Sequence, residues 1–230
     1  MSAVPIVGVS GADGSGKSTF AVALAESVHR AGGIASVLHL YGCVACRRVR
    51  PQALPARLAG RREAAPLRAA HALVDAAEAW LRLSAARRHL ARRARRSAVA
   101  GAVMLVTDRS PLDGLAKHDP TTSAWPARAW LALAARYRCI VVLDAPAQVL
   151  ALRDCDHGAD DLERSRARFR AWLPAVMRAL PADARDEAAR SVAAAASVLG
   201  YDPSALPVPV PTAGAVQVRR DASGRLYEGE

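Results

Sequence analysis

The stretch Gly11-Ala-Asp-Gly-Ser-Gly-Lys-Ser18 constrains what this chain can fold into more than any other eight residues. Before it lies Val4-Pro-Ile-Val-Gly-Val-Ser10, a β-branched apolar run that reads as a buried parallel strand. After it, the run from Lys17 to His29 has apolar residues at helical spacing, with Gly32-Gly33 as its stop. Glycines without side chains let successive backbone N–H groups turn inward around an anion, and a helix N-terminus adds its partial positive charge at the same point. Gly-x4-Gly-Lys-Ser is the phosphate-loop pattern, and strand, loop and helix together supply its context. Gly11, Gly14, Ser15 and Gly16 are therefore expected to line a cradle for the phosphates of ATP. Lys17 would reach the β- and γ-phosphates, the Ser18 hydroxyl would ligate Mg²⁺, and Thr19 would flank it. Asp13 is out of keeping with a phosphate cradle and should point away from it, toward hydroxyl groups of a phosphoryl acceptor.

The alternation continues along the chain. Residues 34–41 and 102–107 read as the second and third strands, the latter delivering Asp108-Arg109 at its end, and residues 139–146 read as the fourth. Between them, the segment after Tyr41 carries prolines, glycines and arginines and reads as loop with short helical pieces. From Leu67 to about Ser97 neither proline nor glycine occurs, and Leu73, Ala77, Trp80, Leu81 and Leu90 trace one apolar face of a long helix. Ser123 is placed to begin a further helix, Ala147–Asp154 reads as a short one, and residues 162–180 read as another, with a helical stretch at 186–200. Alternating strands and helices behind a phosphate loop predict an α/β fold, a three-layer sandwich with a parallel sheet covered on both sides. Residues 1–200 should form that domain, and 201–230 a proline-rich extension, its end either a small hairpin around Asp221–Gly224 or a tail ordered on binding.

The formal charge of +11 suits a nucleic-acid binder and equally an enzyme that handles nucleotides. With 4% aromatic residues and no zinc, helix-turn-helix or RNA-recognition signature, nucleic acid is the less favoured partner. Cys43, Cys46, Cys139 and Cys155 include one Cys-x-x-Cys but no second ligand pair at zinc spacing, so reduced structural thiols are expected. No apolar run approaches the roughly 18 residues that span a bilayer, and the N-terminus lacks a basic leader, which predicts a cytoplasmic protein without membrane partners.

Several short stretches resemble the thymidylate kinases and their relatives among the P-loop nucleoside monophosphate kinases. Gly11-Ala-Asp-Gly-Ser-Gly-Lys-Ser-Thr19 is similar to their loop, in which the aspartate faces the acceptor's sugar, a role that would fall on Asp13. Met104-Leu-Val-Thr-Asp-Arg-Ser110 resembles their strand ending in Asp-Arg. The resemblance implies that Asp108 helps position Mg²⁺ or the attacking oxygen and that Arg109 clamps an acceptor phosphate. Leu83-Ser-Ala-Ala-Arg-Arg88 looks like a stretch of the family's long helix, which would make Arg87 a second acceptor-side cation, with a solvated helix arginine as the alternative. Val142-Leu-Asp-Ala-Pro146 and Asp161-Leu-Glu-Arg-Ser-Arg166 resemble the segments around the family's lid, implying a mobile helical lid at about residues 153–168. Arg153, Arg164 and Arg166 would come from that lid to balance charge on the transferred phosphoryl group.

The departures bear on the acceptor. Ser110 stands where the family has an aromatic residue or histidine, which is similar to the deoxynucleoside kinases; Trp80 could stack a base or sit in the core; the strand expected after the lid helix is weak. The first reading is an ATP- and Mg²⁺-dependent kinase whose acceptor is a nucleoside monophosphate. A second takes an unphosphorylated hydroxyl on a nucleoside, sugar or natural product as acceptor, and a third makes the loop a nucleotide switch beside a nucleic-acid-binding arginine helix at 82–96. The long alanine-rich helix would serve a homodimer interface as readily as a core.

Overall fold

The computed structural model describes residues 4–40, 65–97, 101–118, 124–154, 156–176, 179–183, 218–220 and 226–228. The chain runs β1 (Ile6–Gly11), α1 (Lys17–Arg30), β2 (Ile34–His39), α2 (Ala65–Arg96), β3 (Val103–Asp108), α3 (Pro111–His118), α4 (Ala124–Ala134), β4 (Cys139–Asp144), α5 (Ala147–Ala151) and α6 (Ala159–Trp172). A 3₁₀ turn at Leu173–Ala175 leads to β5 (Ala179–Asp183), and β6 (Val218–Arg220) and β7 (Leu226–Glu228) follow.

The first five strands form one sheet in the order β2-β3-β1-β4-β5, every neighbouring pair parallel. Alternate residues of each strand face opposite sides, and both sides are buried. Val7 and Val9 of β1, Met104 and Val106 of β3, and Val141 and Leu143 of β4 pack with Phe20, Leu24 and Val28 of α1. Ile6, Leu105, Ile140 and Val142 face the other way, against Leu83 and Leu90 of α2, Leu112 and Leu115 of α3, Trp130 of α4 and Phe169 of α6. Helices therefore cover both faces, as the alternation of elements predicts.

The buried stripe of α2 differs from the expected one. Ala72, Ala76, Ala79, Leu83 and Leu90 are buried, whereas Trp80 is 47% exposed and Leu81 58% exposed. The stripe is turned by one residue, because alanines let the helix lie close to its neighbours while the bulkier side chains stay outside. Trp80 is thus no core residue, and the Arg136 guanidinium lies 5.6 Å from its ring centroid.

The strand that the sequence left weak is present. The helix read across 162–180 stops at Trp172, one residue before the turn holding Pro174, and β5 pairs with β4 from Ile140↔Ala179 to Asp144↔Asp183. As the outer strand of the sheet, β5 tolerates Pro181, which lacks a ladder donor. Near the C-terminus, Val218–Arg220 pairs antiparallel with Leu226–Glu228, the hairpin alternative. The expected loop after Tyr41, the cap at Ser123, the helix at 186–200 and Cys43, Cys46 and Cys155 lie outside the described residues. Among the described residues no helix is long and apolar enough to cross a membrane.

Candidate functional site

In a parallel sheet every strand ends on the same edge, and here those ends are Gly11, His39, Asp108, Asp144 and Asp183. The connection after β1 runs toward β2 on one flank, whereas the chain after β3 passes β1 to reach β4 on the other. Crevices outside the carboxyl ends of strands at such a reversal are where open α/β sheets hold ligands.

The glycine loop occupies this place. Gly11 has φ +146, and a Cβ there would lie 2.4 Å from the Leu143 carbonyl oxygen, so a side chain is excluded twice over. Gly14 has φ +78 and would place a Cβ 2.8 Å from the Leu150 carbonyl oxygen of α5. Gly16 is the N-cap of α1 with φ 82 and contributes no capping side chain. The first turn of α1 holds no acidic residue, so its positive end is left for an anion. Ser15 is buried with its Oγ unpartnered, and Thr19 is exposed.

Lys17 is only 7% exposed and bends back over the loop, its Nζ donating to the Ala12 carbonyl at 2.7 Å and to Asp13 Oδ1 at 3.3 Å. Arg109 reaches the same oxygen from β3, its Nη2 donating at 2.9 Å. Burial pushes the Asp13 carboxyl up, but these two cations outweigh it and hold Asp13 below the usual carboxylate range. Ser18 Oγ donates to Asp108 Oδ2 at 2.8 Å, and His39 Nδ1 lies 3.0 Å from that oxygen. For Asp108, too, burial is outweighed, here by the hydrogen bonds from His39 and Ser18, and the carboxyl titrates low. Its other oxygen, Oδ1, is buried and accepts no hydrogen bond.

Behind the loop, Ala12 packs with Leu150 of α5 and Leu162 of α6, which brings this helix pair against the site. Asp13, Asp154 and His157 offer ligand atoms all within 4.8 Å of one another, a spacing that could hold a metal ion. The Asp154 carboxylate also accepts from the Asp156 N–H at 3.0 Å and pairs with His157 at 2.9 Å, which gives one of the acidic residues between α5 and α6 a local part.

The structure thus brings together Gly11, Asp13, Gly14, Ser15, Gly16, Lys17, Ser18, Asp108 and Arg109. The α6 arginines are aimed elsewhere. Arg166 forks onto Asp144, Nε to Oδ1 at 2.6 Å and Nη2 to Oδ2 at 3.1 Å, and also meets Glu163. Arg164 is exposed and pairs with Asp161 one turn back. Arg153 is exposed just past α5, its N–H on the Leu150 carbonyl that abuts Gly14.

Arg87 is not part of the site. Its Nε donates to the Val4 carbonyl at 2.9 Å, ahead of β1 and some seven residues from Gly11, about 20 Å at the rise of a strand. Because α2 runs against the sheet direction, the arginine near the carboxyl edge is Arg82, whose Nη1 lies 3.3 Å from the Leu40 carbonyl oxygen. Sequence reading also passed over His39 and Asp113. His39 ends its strand beside Asp108 in the register, and Ser110-Pro-Leu-Asp113 carries a capping-box signature that could have been found.

By fold and site this is an α/β protein with a glycine loop at the carboxyl edge of a parallel sheet. Compared with known protein families and curated proteins, the sequence matches neither a family model nor a curated protein.

Proposed function

We propose that this chain is an ATP- and Mg²⁺-dependent kinase of a small-molecule acceptor, with a nucleoside monophosphate as the first candidate. The observation that carries the reading is the glycine loop folded around the Lys17 ammonium, with the Ser18 hydroxyl held on Asp108 beside it. An anion at the N-terminus of α1 would replace the Ala12 carbonyl as partner of Lys17 and meet the N–H groups of the first helical turn. Ser18 Oγ and the Asp108 carboxylate that it touches, one of whose oxygens is unpartnered, are hard oxygen donors, which suits Mg²⁺. When bound, the ion would screen the negative charge of the phosphates.

The remaining work falls on side chains. Lys17 orients the phosphates, Asp108 holds the Ser18 hydroxyl, and Arg109 offers its guanidinium on the acceptor side of the loop. The α5–α6 pair, with Arg153, Arg164 and Arg166, serves as a lid over the loop and excludes water from the transfer. For Arg164 and Arg166 that role requires exchanging their present carboxylate partners for phosphate oxygens.

A second reading, transfer to an uncharged hydroxyl, is favoured by one observation: the Arg109 guanidinium is already held between Asp13 at 2.9 Å and Asp113 at 3.8 Å. A cation so engaged is a weaker clamp for an acceptor phosphate. The deciding experiment is ADP release with Mg-ATP across nucleoside monophosphates, nucleosides and hydroxylated metabolites, with Lys17→Ala as control. Acceptor-dependent release, abolished in Lys17→Ala by at least about a hundredfold, is the expected result; preference for monophosphates or for neutral alcohols chooses between the two acceptors. ATP binding with no acceptor-dependent release would sink the kinase reading.

A further inference from the structure

Asp113 is a buried carboxylate to which the proposed chemistry gives no part. Ser110 precedes α3, Pro111 is its first residue and Asp113 its third, the arrangement of a capping box. Ser110 Oγ accepts from the Leu112 N–H at 3.1 Å, and Asp113 Oδ2 accepts from the Ser110 N–H at 2.7 Å. Here the box is buried and tied to β1: Ser10 Oγ donates to Asp113 Oδ2 at 2.6 Å and lies 2.5 Å from Ser110 Oγ. All the hydrogen bonds to Asp113 fall on Oδ2. Oδ1 accepts none and faces Arg109 Nη1 at 3.8 Å.

A cap needs an acceptor oxygen, which a neutral amide supplies as well as a carboxylate does. A buried negative charge is costly unless a cation offsets it, and burial does push the Asp113 carboxyl up. What the charge adds over an amide is its hold on Arg109. That residue sits just before the cap with φ 74, the one non-glycine residue at positive φ among those described. Its N–H is fixed on the Val9 carbonyl at 2.9 Å, so its side chain is launched in a direction that an ordinary strand end would not give. Asp13 from the glycine loop and Asp113 from beneath then hold the guanidinium from two sides.

We infer that Asp113 is a positioning residue: the capping box of α3, pinned to β1 through Ser10, also aims the Arg109 guanidinium across the glycine loop. The consequence for catalysis rests on the kinase reading above; the positional claim does not. Asp113→Asn keeps the cap oxygen and removes the charge. In this variant the protein is expected to fold and to melt no lower than about 4 °C below the parent, with ATP affinity unchanged. The Arg109 Nε–Hε resonance, assigned by its loss in Arg109→Lys, is expected to shift and to exchange faster with water. If acceptor-dependent ADP release is found, kcat should fall about tenfold to a hundredfold, as for a mispositioned group, with the KM for ATP unchanged. An unmoved Arg109 resonance in folded Asp113→Asn would overturn the inference and leave Asp113 a cap alone. Should Asp113→Asn not fold, Ser10→Ala, which frees the carboxylate from β1 but leaves its charge, is read by the same resonance with the same two outcomes. Absence of ADP release from the parent protein overturns the kinase reading, while the resonance still decides the position of Arg109.

Discussion

A lysine buried at the N-terminus of a helix stands where the helix's own partial charge opposes it. In the described structure Lys17 is offset by one carbonyl and by Asp13, which it shares with Arg109. Its placement is unfavourable for the empty protein and favourable for one holding an anion. Lys17→Met, similar in length and uncharged, is therefore expected to stabilise the nucleotide-free protein by about 0.3–1 kcal/mol. The stabilisation by Mg-ATP, about 2.7 kcal/mol at a hundred times Kd, should vanish in the same variant. Thermal melts of both proteins with and without Mg-ATP check this; a destabilised variant that still responds to Mg-ATP would contradict it. The loop was legible in the sequence because all its chemistry lies within eight consecutive residues. The partners of Asp108 and Arg109 were not, since Ser18 and Asp108 are ninety residues apart and Asp13 and Arg109 ninety-six. Arg87 was misplaced for a related reason: α2 runs opposite to the strands, which the sequence does not report, so Arg87 points to the amino end beside Val4 and Arg82 to the carboxyl end beside Leu40.

At the scale of elements, α3 is held in place by small residues as much as by large ones. A Cβ on Gly114 would lie 2.7 Å from three ring atoms of Trp130 in α4, a fully buried side chain with no room to retreat. Gly114→Ala is expected to cost about 1–3 kcal/mol by overpacking, although alanine is the better helix former. Urea unfolding measures the loss, and an unchanged midpoint would mean that α3 and α4 can part at little cost. Because α3 begins with the Ser110–Asp113 box, such a shift would also reach Arg109. The inner strands were legible because each is apolar on both faces, which sequence alone reports. The edge strand β5 was not: its run Ala179-Leu-Pro-Ala-Asp183 has helix formers and a proline, and only pairing along β4 makes it a strand. The stripe of α2 was misread because its contacts are alanines, which hydrophobic patterning weighs least.

Over the whole molecule, acidic groups gather at one end of the strands, where Lys17, Arg109 and Arg166 lie among them, and a set of exposed arginines gathers at the other. Arg88, Arg92, Arg93, Arg95 and Arg96 close α2 before β3 begins, Arg30 closes α1, and Arg138 precedes β4, so these exposed arginines gather toward the amino edge of the sheet. Asp13, Asp108, Asp113, Asp144 and Asp154 lie toward the carboxyl edge, and their titration sets how stability follows pH. Asp13 and Asp108 are held below the ordinary 3.8, as described, and at Asp144 Arg166 and Arg170 likewise outweigh the upward push of burial. A depressed carboxyl contributes stability that is complete above 3.8 and is lost as pH falls through its folded value. Asp113 has the opposite sign: raised by burial above 3.8, it contributes stability that is complete below that value and is lost as pH rises through the folded one. Stability should therefore fall on the acid side of 3.8, where the depressed carboxyls take up protons and the Asp113 contribution, already complete, no longer changes. Asp113→Asn, which removes the opposing group, should gain on the parent protein as pH rises from about 4 to 7. Urea midpoints of both proteins across that interval test the sign. A gap that widens and then levels off below about pH 7 means that Asp113 ionises in the folded protein at a cost in stability, as expected of a group retained for the aim of Arg109. A gap still widening at about pH 7 would mean that the carboxyl keeps its proton and does not hold Arg109 by charge. A gap that stays flat would mean that Arg109 and Ser10 offset the burial of Asp113 completely.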